Sequence, residues 1–322
     1  MGIADIIDLD ADNGRIREMI REAKRKKTKT LISHHVFDKM PTRDEIATRF
    51  VKMERTLDTF QLFDEEGLFN TGSLEEKIRE LLTKQDRLVI IINTPSHNPT
   101  GYALTDEEWK KVIAILNEAG KNKKITLLVD AAYVDFAGDE DESRSFLPVL
   151  QEASEDVLVI IGHSLSKAYT LYGLRCGAMI CMTGSKETAD EFKRVCEFSS
   201  RASWSNCPRA PQVILTKIYE DPALLKKVMD ERKMYRDMLI RRGKAFKAEA
   251  EKVGLVTLPF RSGFFMSIPC DDPEAAAAKL EEEGIFTVPL AKGIRIAGSS
   301  ISEEDCRRLP EAVKKAIDST QK

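Results

Sequence analysis

No two of the six cysteines, Cys176, Cys181, Cys196, Cys207, Cys270 and Cys306, are spaced as CxxC. They are scattered through apolar stretches, which argues against a zinc site or a disulfide framework and for free thiols packed as small hydrophobes. Long hydrophobic runs are also missing. Leu88 to Ile92 is as long as any, far below the ~20 residues that span a bilayer, and Met1-Gly2-Ile3-Ala4-Asp5 opens no secretory signal. Gly2 invites a lipid anchor, but Ile6 stands where myristoylation wants Ser or Thr. Neither sign of charge dominates: 50 Lys and Arg face 53 Asp and Glu, a net charge of −3, so no large field draws nucleic acid or an anionic membrane. No Gly-rich dinucleotide fingerprint and no phosphate loop ending in Gly-Lys-Ser/Thr occurs. Gly162-His163-Ser164-Leu165-Ser166 lacks the second glycine of a hydrolase elbow. His34 and His35 are adjacent and cannot easily share a metal, so they read as a solvated pair. What these absences leave is a folded cytoplasmic protein whose partner is a small molecule.

At 322 residues the chain is long enough for about two domains. Residues 1–55 read as an N-terminal helical segment, with a helix over 11–29 that ends in the basic run Lys24-Arg25-Lys26-Lys27 and a second helix start after Pro41. Cations suit a helix C-terminus, so this run needs no nucleic acid to explain it. From residue 56 short apolar runs alternate with amphipathic helices, the pattern of a three-layer α/β domain with a mainly parallel sheet. Leu88–Ile92, Ile125–Val129 and Val157–Ile161 are continuous rather than alternating, as expected of strands covered on both faces. Thr105 followed by Glu108 predicts a capping box at the start of the first crossover helix. Ala178 to Met182 follows as a strand that suits an antiparallel partner. A long helix from Asp221-Pro222 to Val253 bridges to a smaller α+β part with strands near 264–268, 286–288 and 294–297. The division is therefore 1–55, a large domain over 56–220, and a bridging helix with a small C-terminal domain over 221–322.

Ligands of open α/β sheets bind beyond the carboxyl ends of the parallel strands. Asn98-Pro99-Thr100-Gly101 follows the first apolar run, Asp130-Ala131-Ala132-Tyr133 the second, and Ser164-Leu165-Ser166-Lys167 the third. Each alone is explained by turn or cap chemistry. Together, a lysine that desolvation would make a nucleophile, a carboxylate able to hold a protonated ring nitrogen, and hydroxyls with Arg175 suited to a phosphate describe a Schiff-base cofactor site.

Asn98-Pro99-Thr100-Gly101, Asp130 with Tyr133, Ser164-x-Ser166-Lys167, Tyr172, Arg175 and Arg295 resemble the class I, fold type I, pyridoxal-phosphate aminotransferases. Arg201-Ala202-Ser203-Trp204-Ser205-Asn206-Cys207-Pro208 is similar to a segment of the aspartate and aromatic amino acid subgroup. The resemblance runs from about residue 56 to the C-terminus. It implies that Lys167 forms an aldimine with pyridoxal 5'-phosphate and then moves a proton, and that Asp130 keeps the ring nitrogen protonated. Asn98 and Tyr133 would bond the ring's phenolic oxygen, and Ser164, Ser166 and Arg175 would bind the phosphate. Arg295 would grip the substrate α-carboxylate as a fork. Arg201 would reach a distal carboxylate across a homodimer interface.

The resemblance does not reach the N-terminus: residues 1–55 hold only Gly2 and Gly14, with no Gly-rich helix start for the cofactor phosphate and no aromatic placed to stack on the ring. Two readings stay open. One is a transaminase moving an amino group between aspartate or an aromatic amino acid and a 2-oxo acid. The other is a truncated, catalytically impaired relative that serves as a structural or interaction protein.

Overall fold

The computed structural model describes residues 6–10, 29–33, 58–121 and 123–320. The chain divides into two units, residues 1–59 with 195–205, and residues 60–194 with 206–322. In the first unit Ile6–Asp10 (β1) pairs in parallel with Lys29–Ser33 (β2), Ile6 opposite Lys29 and Asp10 opposite Ser33. This differs from the helical reading of residues 1–55. The apolar pairs Ile6-Ile7 and Leu31-Ile32 suit strands, but runs of five residues do not separate strand from helix by periodicity. The helix expected over 11–29, apart from Lys29 in β2, the helix start after Pro41, and His34 and His35 lie outside the described residues.

The second unit holds a four-stranded sheet in the order Arg87–Asn93 (β3), Lys124–Asp130 (β4), Val157–Ser164 (β5), Gly177–Met182 (β6). The first three strands run parallel and β6 is antiparallel. The register places Asn93 beside Asp130 and Asp130 beside Gly162, so the three carboxyl ends come out at one edge. Helices Thr71–Leu82 (α1) and Asp106–Gly120 (α2) bury Leu74, Ile78, Trp109, Val112, Ile113 and Leu116 against Ile90, Leu127 and Val159 of the sheet. The expected capping box opens α2: Thr105 Oγ1 accepts from the Glu108 amide at 3.2 Å and Glu108 Oε2 accepts from the Thr105 amide at 2.7 Å. The second crossover is two short helices, Glu140–Arg144 (α3) and Phe146–Leu150 (α4).

The expectation of strands covered on both faces is corrected at β3, where burial alternates and Val89 and Ile91 are 63% and 57% exposed. Among the described residues, α1 and α2 cover the face that buries Leu88, Ile90 and Ile92, and the face of Val89 and Ile91 lacks such cover.

Leu165–Ala168 (α5) is a single turn where no helical stripe was legible, and a 3-10 turn over Tyr172–Leu174 leads into β6. Lys186–Ser203 (α6), Arg209–Glu220 (α7) and the long Pro222–Lys252 (α8) follow. Asp221 caps α8 through the amides of Ala223 and Leu224, and Pro222 occupies the first turn, where its missing N–H costs nothing. A three-stranded antiparallel sheet in the order Phe265–Pro269 (β7), Gly293–Ala297 (β9), Val288–Leu290 (β8) packs with Pro273–Glu282 (α9) and Glu303–Thr320 (α10). Phe246, Ile268, Leu280, Ile294 and Val313 centre this second apolar core. The buried residues of α8 lie in its second half, at Leu239, Gly243, Ala245, Phe246 and Ala250, while Met234 and Tyr235 are exposed. Of the cysteines, Cys270 and Cys306 are buried and Cys207 is exposed, so the reading of thiols packed as hydrophobes holds for two of them in full.

Candidate active site

The edge formed by the carboxyl ends of β3, β4 and β5 gathers the residues singled out in the sequence. Asp130 ends β4 and turns its Oδ1 back to accept from the Ala132 amide at 3.2 Å. Tyr133 follows on the same turn, with its ring edge-on to Phe264 and Phe265 at 5.2 and 5.9 Å. Burial, with smaller contributions from Tyr172 and Asp130 and against an opposite pull from Arg295, pushes the Tyr133 hydroxyl above its ordinary pKa, so at neutral pH it is a donor. Lys167 sits in the α5 turn, its Nζ 5.4 Å from the centre of the Tyr133 ring and 5.9 Å from that of Tyr172. Among the described residues it donates no hydrogen bond.

On the opposite wall, Arg295 of β9 stacks on Phe265 at 4.4 Å and donates from Nη1 to Asn98 Oδ1 at 3.0 Å. The Asn98 amide donates to Asn93 Oδ1 at 2.7 Å, and Asn93 Nδ2 donates to the Asp130 carbonyl at 3.2 Å. Lys167, Tyr133, Phe265, Arg295, Asn98, Asn93 and Asp130 are thus linked by a continuous chain of contacts. Arg175 Nη1 reaches Ser166 Oγ at 3.4 Å and the Tyr172 carbonyl at 2.7 Å. Arg175 adopts the left-handed conformation, φ +46°, which a non-glycine residue holds only where its surroundings impose it. Ser164 ends β5 directly before this turn.

The Asn98–Gly101 loop is clamped from the other side by the segment before β7. The amides of Arg261 and Ser262 donate to the Gly101 carbonyl at 2.9 and 3.0 Å, Ser267 Oγ donates to the Pro99 carbonyl at 2.8 Å, and Ser96 and Ser262 hydroxyls lie 2.8 Å apart. Gly101 takes φ +76°, and a Cβ there would meet Phe260 Cδ2 at 2.3 Å and the Phe265 carbonyl at 2.6 Å. Only glycine fits that turn.

Of the sequence-derived residues the structure brings together Asn98, Asp130, Tyr133, Ser164, Ser166, Lys167, Arg175 and Arg295. Arg201 belongs to the other unit, where its Nη1 donates to Ser205 Oγ at 2.5 Å. Sequence reasoning missed Asn93, which links Asn98 to Asp130, Phe265, which links Tyr133 to Arg295, and His97, whose Nδ1 pairs with Thr100 Oγ1 at 2.8 Å. Burial lowers the His97 pKa to about 4, against a smaller opposite pull from Asp130. Asn93 had one available signal, its place in register with Asp130 at the strand end.

The residues present fit the cofactor that the motifs suggest. An amine without an acceptor, a carboxylate, a buried phenol and an Arg–Ser pair face one edge, and Arg295 Nε is buried with no hydrogen-bond partner among the described residues.

Residues 41–313, more than half of the chain, match the model of aminotransferase class I and II. The chain belongs to this family. A structure of an aminotransferase from Anaerococcus prevotii is 33% identical, with a TM-score of 0.77 over 98% of this chain and 70% of that one. An aromatic-amino-acid aminotransferase structure from Burkholderia pseudomallei, described as covalently bound to pyridoxal phosphate, shares the aminotransferase fold at 18% identity, with a TM-score of 0.66 over 98% of this chain and 69% of that one. The tyrosine aminotransferase of Rhizobium meliloti is 28% identical over 66% of this chain and 54% of its own length. The chain spans about half the length of the curated relatives it matches. Residues 1–62 match a second model, type I 3-dehydroquinase, which overlaps the aminotransferase match over residues 41–62. Among the described residues no helix is long and apolar enough to cross a membrane.

Proposed function

We propose that the chain is a cytoplasmic, homodimeric transaminase of the aspartate and aromatic amino acid type, using pyridoxal 5'-phosphate held at Lys167, with a cofactor domain over residues 56–220 and a small domain over 221–322. The observation that carries this reading is the chain of contacts from Lys167 through Tyr133, Phe265, Arg295, Asn98 and Asn93 to Asp130. An amine, a ring-nitrogen partner and a carboxylate fork within one such chain are what amino-group transfer requires. Two separate apolar cores support the division into domains.

When bound, the cofactor supplies an electron sink beside the amino acid's α-carbon. The protein's part is to bind, orient and move a proton. Lys167 would hold the cofactor through Nζ, and the same amine would take and return the substrate's α-proton. Asp130 keeps the ring nitrogen protonated. Tyr133 donates to the ring's phenolic oxygen, with Asn98 beside it. Arg175 with Ser166 and Ser164 holds the phosphate. Arg295, already planar against Phe265, takes the α-carboxylate as a bidentate fork. Arg201 would read a distal carboxylate from the second copy.

The test is one half-reaction. Purified protein given cofactor and then aspartate or tyrosine should yield the 2-oxo acid and the aminated cofactor in equal amounts, and Lys167→Ala should yield neither. The lack in residues 1–55 of a Gly-rich helix start for the cofactor phosphate favours a second reading, an impaired relative acting as a structural or interaction protein. Absence of both products from the unsubstituted protein would overturn the transaminase reading.

A further inference from the structure

Behind the site lies a buried charge cluster that none of these roles uses. Asp135, two residues beyond Tyr133, has a side chain only 4% exposed. Its Oδ1 accepts from Arg144 Nη2 at 2.8 Å and from Arg232 Nη1, and its Oδ2 lies 3.2 Å from His163 Nε2. Each partner comes from a different element. His163 immediately precedes Ser164 at the end of β5, Arg144 belongs to α3, and Arg232 to α8. The Arg232 guanidinium also stacks on Tyr169 at 4.9 Å, and Tyr169 closes the α5 turn by donating its amide to the Leu165 carbonyl at 3.2 Å. One carboxylate therefore ties the turn that carries Tyr133 to the residues on both sides of the turn that carries Lys167.

Burial alone would raise the Asp135 carboxyl, but the His163 hydrogen bond and the two guanidinium groups outweigh it and hold the group well below the usual carboxylate range. It stays an anion throughout the neutral range. Arg232 is 10% exposed, and its Nε and Nη2 are buried without a hydrogen-bond partner among the described residues.

We propose that Asp135 is a positioning residue that, through His163 and through Arg232 on Tyr169, sets the spacing between Tyr133 and Lys167. The role rests on the transaminase reading of those two residues, but the spacing itself is measurable without cofactor. Lys167 Nζ stands close to two aromatic rings, so after reductive methylation of the cofactor-free protein with 13C-formaldehyde its methyl resonance is displaced by ring currents. Lys167→Arg assigns that resonance.

In Asp135→Asn the displaced resonance should collapse to the position of the solvent-exposed lysines, and Asp135→Glu should restore part of the displacement. Borohydride trapping of pyridoxal phosphate at Lys167 should fall about a hundredfold, the scale that a 1 Å misplacement costs. A merely structural role would lower the melting temperature of Asp135→Asn and leave the Lys167 resonance in place, and that result overturns the proposal. So does a wild-type resonance that is not displaced. If Asp135→Asn does not fold, Arg232→Lys keeps the opposite charge but removes the planar stack on Tyr169, and the same two results decide. A wild-type protein that has the displaced resonance yet traps no cofactor at Lys167 refutes the transaminase reading alone, because the effect of Asp135→Asn on the resonance still decides the positioning role.

Discussion

Replacing Gly101 by alanine tests whether the Asn98–Gly101 loop is held by the contacts described. Two costs are involved, and they separate. A side chain at φ +76° pays about 1–2 kcal/mol for the left-handed backbone. The added Cβ would also stand 2.3 Å from Phe260 Cδ2 and 2.6 Å from the Phe265 carbonyl oxygen. The ring of Phe260 can tilt, but it is itself lodged against Gly243, and the β7 backbone oxygen cannot retreat without loosening the strand. Overpacking of this kind costs about 1–3 kcal/mol. Gly254 provides the control: it has φ +68° and nothing within 4 Å of its would-be Cβ. Gly254→Ala should therefore lose about 1–2 kcal/mol and Gly101→Ala about 2–5 kcal/mol. The assay is urea unfolding followed by far-ultraviolet circular dichroism, with both variants compared at the same slope. Equal losses in the two variants would refute the argument, because the contacts of Gly101 with Phe260 and β7 would then contribute nothing.

His97 predicts a pH dependence. Its folded pKa of about 4 lies below the ordinary 6.5, so the unfolded chain takes the proton first; stability is complete above pH 6.5 and is lost as pH falls toward about 4. That loss is on the order of 3 kcal/mol at about 1.4 kcal/mol per unit, and His97→Asn should remove it from unfolding curves recorded across that range. Arg295→Lys keeps the charge but not the fork, so the amino acid KM should rise about tenfold or more, by the worth of a lost charged hydrogen bond. Steady-state kinetics with aspartate and tyrosine would show an unchanged KM if Arg295 does not contact the carboxylate.

Much of the site was legible in the sequence because its residues follow directly on strands whose apolar runs are plain. Asp130 and Lys167 come at the ends of Ile125–Val129 and Val157–Ile161, and once those strands run parallel their carboxyl ends must meet. The capping box at Thr105 was equally readable, since its two partners lie three residues apart. Contacts between distant segments were not. Phe265 and Arg295 join the site through the pairing of β7 with β9, and no local pattern gives that register. Asp135 reads as an ordinary turn carboxylate until Arg232, 97 residues later, is seen against it. The strands β1 and β2 escaped notice because runs of five residues carry too little periodicity to set against helical propensity.

The role proposed for Lys167, to take pyridoxal phosphate beside Tyr133, Asp130 and Arg295, has a direct test: mixing the protein with the cofactor, reducing with borohydride and mapping the adduct by peptide mass spectrometry. An adduct confined to Lys167 and absent from Lys167→Ala is expected. Labelling spread over surface lysines, with no preference for Lys167, would contradict it.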